Sequence, residues 1–240
     1  MSQQPSKSRA IGDRLISAFL IVGWLACLIS SASAGDGPQP SRDELQKLLV
    51  ENPDAAQLRA INNALVRRSL ARDYLSDNDI IVPWLQEHAN RVRPTLLFEL
   101  ALHAFPDDHD KGLEWFGVGL ARIYYDSRRC TDDSAGNDML FLIMLRAGQG
   151  PIGDYLHDHP QAYADALKRA LARPDVFVDE LSPLWICSHS LQVYKDAIAG
   201  QAVSPGSLIK PRNEWPGIKE DVRQQLLSVA ESKMQPRDKP

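Results

Sequence analysis

The chain has 240 residues, and its 27 basic and 31 acidic residues give a formal net charge of −4. This acidic balance excludes a surface that attracts nucleic acid or an anionic membrane by charge, and it favours a protein partner with a basic surface. Hydrophobic residues make up 44% of the chain, which is enough for one domain with a substantial core.

The first 34 residues have the three parts of a secretory signal peptide. Basic residues come first, an uncharged apolar stretch runs from Leu15 to Ile29, and small residues follow up to Ala32-Ser33-Ala34. Because small residues suit a signal peptidase, we expect cleavage between Ala34 and Gly35. The sequence therefore predicts a periplasmic or secreted protein.

Two other fates of this segment stay open. The residues from Leu15 to Ala34 carry no charge, and they nearly match the ~20 that a membrane-spanning helix needs, so an uncleaved anchor is one alternative. Lipid attachment at Cys27 is the other, although Trp24-Leu25-Ala26 departs from the usual lipid-attachment pattern. A membrane becomes a partner only in these two cases, and all three fates export the chain.

Cleavage changes both the charge and the cysteine count. It removes three basic residues and one acidic residue, so the net charge moves from −4 to −6, and it removes Cys27. Cys130 and Cys187 remain, and in an oxidising compartment such a pair predicts a disulfide. The loop of roughly 57 residues that it closes stabilises a fold by about 4 kcal/mol in the chain-entropy model. The alternative is two buried free thiols.

Helix signals fill most of the mature chain. A Gly- and Pro-rich linker at 35–41 precedes a helical domain at 42–234, and a charged tail at 235–240 is expected to be flexible. Ser41-Arg42-Asp43-Glu44 has the capping-box pattern, and Pro53 suits the first turn of a second helix. Further helices are predicted over 78–89, where Pro83 is an alternative start, from Pro94, over 110–129, from Pro160, over 184–198 and from about Ile218, with a loop at 200–216.

The segment from Asp110 to Arg129 carries two apolar stripes at helical spacing. A helix that is apolar on two sides is usually covered by neighbours on both sides. Strand signals are nearly absent, since only Val176-Phe177-Val178 reads as a short β-like run. The sequence therefore predicts an all-α, single-domain protein that forms a helical bundle or a short irregular helical solenoid with one disulfide.

The end of this helix mixes polar and aromatic residues and has two interpretations. Tyr and Arg are enriched at interface hot spots, which favours a surface that contacts a partner. The alternative is structural: an Arg–Asp network that caps the helix and holds Cys130. The candidate contact residues are Tyr125, Asp126, Arg128, Arg129 and Asp132.

Three further motifs resemble catalytic or metal sites only superficially. His157-Asp158-His159 could ligate a metal on an extended loop, but residues i and i+2 point apart on a helix. The run Asp107-Asp108-His109-Asp110, with His103, could hold a cation or could simply start a helix. Ser188-His189-Ser190 has no accompanying G-x-S-x-G turn. We therefore assign no catalytic residue, no metal site and no cofactor.

Two stretches carry a resemblance. The first stretch resembles the helix pairs of Sel1-like and tetratricopeptide repeats, and it comprises Asp110-Lys111-Gly112-Leu113-Glu114-Trp115-Phe116 with Gly119 and Tyr124-Tyr125-Asp126-Ser127-Arg128-Arg129-Cys130. No repeat of 34 to 40 residues recurs. With Pro183-Leu184-Trp185-Ile186-Cys187-Ser188-His189 and Asn213-Glu214-Trp215-Pro216, the first stretch is similar to a group of small exported proteobacterial helical proteins. Some similar exported helical proteins are immunity proteins that protect a cell from a neighbour's envelope-targeted toxin.

The resemblance, the export signal and the acidic charge together predict a binding protein without catalytic activity. The expected function is that of an immunity protein, which neutralises an envelope-acting toxin with a basic surface by occluding it. An envelope scaffold or accessory protein is the first alternative, and a periplasmic hydrolase or metalloenzyme that uses His157, His159 or His189 is the second.

Overall fold

The computed structural model describes residues 40–70, 77–137 and 150–234. The predicted signal peptide at 1–34, the linker up to residue 39 and the tail at 235–240 lie outside the described residues. Everything described belongs to a compact unit that spans 39–240.

Ten α-helices and two 3-10 turns make up the described part, which contains no β-strand. Cys130 and Ile209 form an isolated antiparallel bridge. The predicted all-α class is therefore confirmed. The helices are α1 Arg42–Leu48, α2 Ala55–Leu70, α3 Asn78–Glu87, α4 Pro94–Ala104, α5 His109–Arg128, α6 Pro151–Asp158, α7 Pro160–Ala172, α8 Leu184–Cys187, α9 Leu191–Ile198 and α10 Trp215–Met234, and the 3-10 turns are Pro205–Leu208 and Arg212–Glu214.

The predicted capping box at the start of α1 is confirmed. The Ser41 hydroxyl accepts a hydrogen bond from the Glu44 backbone N–H at 3.3 Å, and the Glu44 carboxylate accepts one from the Ser41 backbone N–H at 2.6 Å. The second helix begins two residues later than the Pro53 signal indicates. Asp54 accepts hydrogen bonds from the N–H groups of Ala56 and Gln57 at 2.8 Å, so the capping carboxylate rather than the proline sets the start of α2.

Three predicted helix boundaries differ from the structure. The predicted helix at 184–198 is divided into α8 and α9, because the Ser190 side chain accepts from Val193 N–H and starts a new helix. The predicted loop at 200–216 contains the two 3-10 turns, and α10 begins at Trp215 rather than near Ile218. Pro83 lies inside α3 instead of starting it.

Helix α5 forms the centre of the fold, with α4 on one side and α7 on another. Both of its apolar stripes are buried, as predicted. Glycines permit the close approach: a Cβ on Gly112 would lie 2.6 Å from the Phe105 Cα, and a Cβ on Gly117 would lie 2.7 Å from the Ala166 carbonyl oxygen. Both distances are shorter than van der Waals contact, so α5 can pack here only without side chains.

Arg122, in the middle of α5, joins segments that are distant in sequence. Its buried guanidinium donates to the Ala89 carbonyl at 2.6 Å, to the Val176 carbonyl at 2.9 Å and to the Asp175 carbonyl at 2.9 Å. Burial lowers the pKa of Arg122 to about 10, so the side chain stays charged near neutral pH. It thereby fixes the α3–α4 corner and the loop after α7 to the central helix.

Candidate functional site

The structure divides the predicted contact residues between the interior and the surface. Tyr125 and Arg129 are 0% exposed and Asp126 is 2% exposed. The prediction that these three residues contact a partner is therefore wrong, because their side chains are covered by other parts of the same chain. Arg128 is exposed and Asp132 is half-buried, so these two remain at the surface.

The buried residues form the Arg–Asp network of the alternative interpretation. Arg129 pairs with the Asp126 carboxylate and donates to the Leu181 carbonyl at 3.1 Å. Its guanidinium lies 4.3 Å from the Tyr125 ring centroid and 4.5 Å from that of Trp215. Trp185 donates to the other Asp126 oxygen at 2.7 Å. Burial raises the pKa of Asp126, against the opposing effects of Arg129 and Trp185.

A second carboxylate fixes the outer side of this network. The Tyr125 hydroxyl donates to Asp179 at 2.5 Å, and the Lys219 ammonium donates to the other Asp179 oxygen at 2.6 Å. Desolvation opposes ionisation of Asp179, but the bonds from Lys219 and Tyr125 prevail and lower its pKa. The end of α5 is therefore a structural joint between α5, the loop after α7 and α10.

The predicted disulfide between Cys130 and Cys187 is confirmed. It fixes the end of α5 to α8, and both cysteines are buried. Beside it, Thr131 N–H donates to the Leu208 carbonyl at 3.0 Å and Lys210 N–H donates to the Arg129 carbonyl at 2.8 Å. Three segments therefore meet here: the turn after α5, the α8–α9 region and the chain around 203–210.

A cleft of about 590 Å³ opens where these three segments meet. Its walls are polar and predominantly acidic, since three carboxylates and one ammonium group are its charged groups. The lining residues are Thr131, Asp132, Asp133, Ser134, Ser190, Leu191, Gln192, Lys195, Asp196, Val203, Ser207 and Leu208.

Asp132 holds α9 in place at the edge of this cleft. Its carboxylate accepts from Gln192 N–H and from Ser134 N–H, each at 2.9 Å, and the Ser134 hydroxyl accepts from Leu191 N–H at 2.9 Å. Desolvation raises the pKa of Asp132, but the backbone hydrogen bonds outweigh it, so the pKa lies below its usual value. The N–H groups at the start of α9 are therefore already satisfied by this chain.

No side chain of helix α9 is fully buried, while Val193, Tyr194 and Asp196 are half-buried. Leu191 is 60% exposed and Ile198 is 89% exposed, and in the described residues they are the large hydrophobic side chains that solvent reaches most. They are seven residues apart, which places them on one side of the helix. We call these two side chains, together with the adjacent cleft, the α9 face.

Sequence reasoning did not identify the α9 face. The pattern Leu191-Gln192-Val193-Tyr194-Lys195-Asp196-Ala197-Ile198 is amphipathic, and such a pattern ordinarily indicates a helix whose apolar side packs on the core. The exposure of Leu191 and Ile198 is a tertiary property, because it depends on how the start of α9 is oriented by its hydrogen bonds to Asp132 and Ser134.

The histidine and serine motifs fall at helix ends. His159 lies between α6 and α7, where its ring stacks on Tyr155 at 4.2 Å, and His109 lies 4.6 Å from the same ring. Across residues 40–70, 77–137 and 150–234, no group of three or more His, Cys, Asp or Glu side chains is placed to hold a metal ion. Ser188 lies 3.3 Å from the ring of its neighbour His189, between α8 and α9.

No described helix is both long enough and apolar enough to cross a membrane.

No protein-family model, curated protein or solved structure matches the chain. The roles of its residues therefore rest on their own contacts and exposure.

Proposed function

We propose that this chain is an exported helical protein-binding protein, and that it acts as an immunity protein that neutralises an envelope-acting toxin by occluding it. Its binding surface is the α9 face. Export follows from the signal-peptide pattern of residues 1–34, so purified exported protein begins at Gly35, which N-terminal sequencing checks.

The observation that carries this proposal is the exposure of Leu191 and Ile198 on a helix in which no side chain is fully buried. Exposed apolar side chains that lie together favour a protein–protein contact. A few well-packed side chains near the centre of an interface carry most of its binding energy when the surrounding contacts exclude water. The polar cleft beside α9 supplies such a rim.

The contacts that hold the start of α9 in place support the same proposal. The disulfide lies four residues before Leu191, and Asp132 and Ser134 hold the first N–H groups of the helix. A preorganised surface loses little conformational entropy when it binds. An inhibitor that acts by occlusion needs this property, because it must stay bound to its target rather than process it.

A survival assay tests the proposal. Proteins encoded next to this gene are exported singly in a host, with or without the full chain. We expect the chain to restore growth against one of them, and the same chain without residues 1–34 to fail because it never meets the toxin. If none of these proteins is toxic or neutralised, and deletion of the gene weakens the envelope of cells grown alone, the scaffold alternative replaces the proposal.

A matched pair of variants then locates the surface. Asp in place of both Leu191 and Ile198 abolishes protection, whereas Ala60→Asp, which adds a charge at an exposed position of α2, leaves it intact. Equal protection by both variants rules out the α9 face as the binding surface.

A further inference from the structure

The α9 face has features that define the chemistry of what binds it. Leu191 and Ile198 are separated by two helical turns, or about 10 Å along the axis at 1.5 Å per residue. The cleft on one side of them carries Asp132, Asp133 and Asp196 against Lys195. The face therefore joins an apolar strip to an acidic margin.

The carboxylates of this margin are differently engaged. The Asp132 carboxylate accepts hydrogen bonds from backbone N–H groups of this chain. It therefore attracts a cationic partner by its negative charge rather than by a direct hydrogen bond. Asp133 is 76% exposed and lies 3.6 Å from the Lys210 ammonium. Asp196 accepts a hydrogen bond from the Gln192 side chain at 2.7 Å, and its carboxylate lines the cleft.

Backbone pairing does not suit this face, since the N–H groups at the start of α9 already have partners and the rest of the helix is bonded internally. An incoming strand would find no sheet edge there. Side-chain packing is what remains, and apolar side chains two turns apart match the repeat of an amphipathic helix laid against α9.

We infer that the α9 face docks a basic amphipathic helix of the partner, with apolar side chains on Leu191 and Ile198 and Arg or Lys side chains beside Asp133 and Asp196. This inference rests on the proposed function and adds the chemistry of the partner segment. Attraction between the acidic margin and Arg or Lys side chains of the partner speeds association, and repulsion from the same margin disfavours acidic partners.

Charge also argues against two other occupants. A second copy of the exported chain, with a net charge of −6 after cleavage, would bring one acidic margin against another. An anionic lipid surface would meet the same repulsion. A basic helix gains the attraction that both of these lack.

Designed peptides test the inference on the oxidised full-length exported protein. Two helical peptides share one leucine strip with a seven-residue repeat, and they differ only in flanks of arginine or of glutamate. Fluorescence anisotropy gives Kd for each, and amide NMR shifts locate the contact. We expect the arginine peptide to bind at least about tenfold more tightly, with the ratio shrinking in high salt because ions screen exposed charges.

Variants separate the apolar and the charged contributions. Ile198→Asp removes binding of the arginine peptide, while Ala60→Asp leaves it unchanged. A variant with both Asp133→Asn and Asp196→Asn should show a smaller ratio between the Kd values of the two peptides, and it should still bind the arginine peptide. Circular dichroism and urea midpoints check that these substitutions leave the fold intact.

Four results overturn the inference: equal binding of both peptides, absence of binding, a dimer that Ile198→Asp dissociates, or binding to phosphatidylglycerol vesicles that Ile198→Asp abolishes. The survival assay reads out separately. Protection without peptide selectivity rejects the basic helix and keeps the proposed function. Peptide selectivity without protection keeps the basic helix as the ligand and rejects the immunity function.

Discussion

The end of α5 and the α9 face both depart from the usual rule that charged side chains are exposed and apolar side chains are buried. At the end of α5, Asp126 and Arg129 are charged and fully covered, while on α9 Leu191 and Ile198 are apolar and open to solvent. The disulfide joins the two regions, since Cys130 follows Arg129 and Cys187 precedes α9. The contrast teaches that polarity alone does not show which residues meet a partner.

Each departure from this rule has a physical basis. The charges at the end of α5 are buried as a pair, with aromatic rings on the guanidinium and hydrogen bonds on the carboxylate. Charges can be buried when they are paired and hydrogen-bonded. An exposed apolar pair has no such compensation in the free protein, and in the proposed function the partner covers it.

The largest effect is expected when the buried pair is broken. Arg129→Ala leaves the Asp126 carboxylate buried without its cation, which costs about 3–5 kcal/mol. Arg128→Ala is the matched control, because Arg128 is exposed and bonds only Gln225 at 3.2 Å among the described contacts. It should change the free energy of unfolding by less than about 0.5 kcal/mol. Urea denaturation measures both, and equal losses would contradict a buried structural role for Arg129.

Removal of the disulfide is expected to be nearly as costly. Serine at both Cys130 and Cys187 releases a loop of 57 residues, and the chain-entropy model gives a loss of about 4 kcal/mol. Because α9 begins only four residues after Cys187, its amides should also exchange faster in hydrogen-exchange experiments. If exchange at α9 stays at the wild-type level when α5 is destabilised, the disulfide does not hold the α9 face.

A smaller loss in the free energy of unfolding is expected when a side chain is added where α5 packs closely against α7. Gly117→Ala places a methyl group 2.7 Å from the Ala166 carbonyl oxygen, and overpacking of this kind costs about 1–3 kcal/mol. Gly217→Ala in α10 meets nothing within 4 Å, so it should be neutral or stabilise by up to about 1 kcal/mol. Thermal unfolding of the two variants compares them, and a stable Gly117→Ala protein would refute the close approach.

The smallest expected effect is on the pH dependence of the free energy of unfolding in acid. The Arg173 side chain is the main cause that lowers the pKa of Asp175 to about 2 from an ordinary 3.8. The ionised pair therefore stabilises the fold above about pH 4, and its contribution is lost as the pH falls from about 4 towards 2. Asp175→Asn should flatten part of this dependence in urea midpoints measured at pH 6 and pH 3. Asp221→Asn, which is exposed on α10, should leave the dependence unchanged.

Local signals predicted the parts of the fold that are set locally. The Ser41 capping box, the two apolar stripes of α5 and the Cys130–Cys187 pair each follow from spacing within or between short motifs. The burial of Arg129 could not be predicted in this way, because its cover comes from Trp215 and Leu181, which are distant in sequence. The exposure of Ile198 depends on the break at Ser190, which the continuous helical pattern conceals.

The central claim is that the apolar residues of α9, rather than the polar residues at the end of α5, contact the partner. Calorimetric titration of the toxin identified by survival, against oxidised wild-type protein and variants, tests it most directly. We predict that Asp in place of Leu191 and Ile198 weakens binding at least about a hundredfold, the loss expected at a hot spot, and that Ala60→Asp binds like the wild type. An unchanged affinity of the Leu191 and Ile198 variant would contradict the claim.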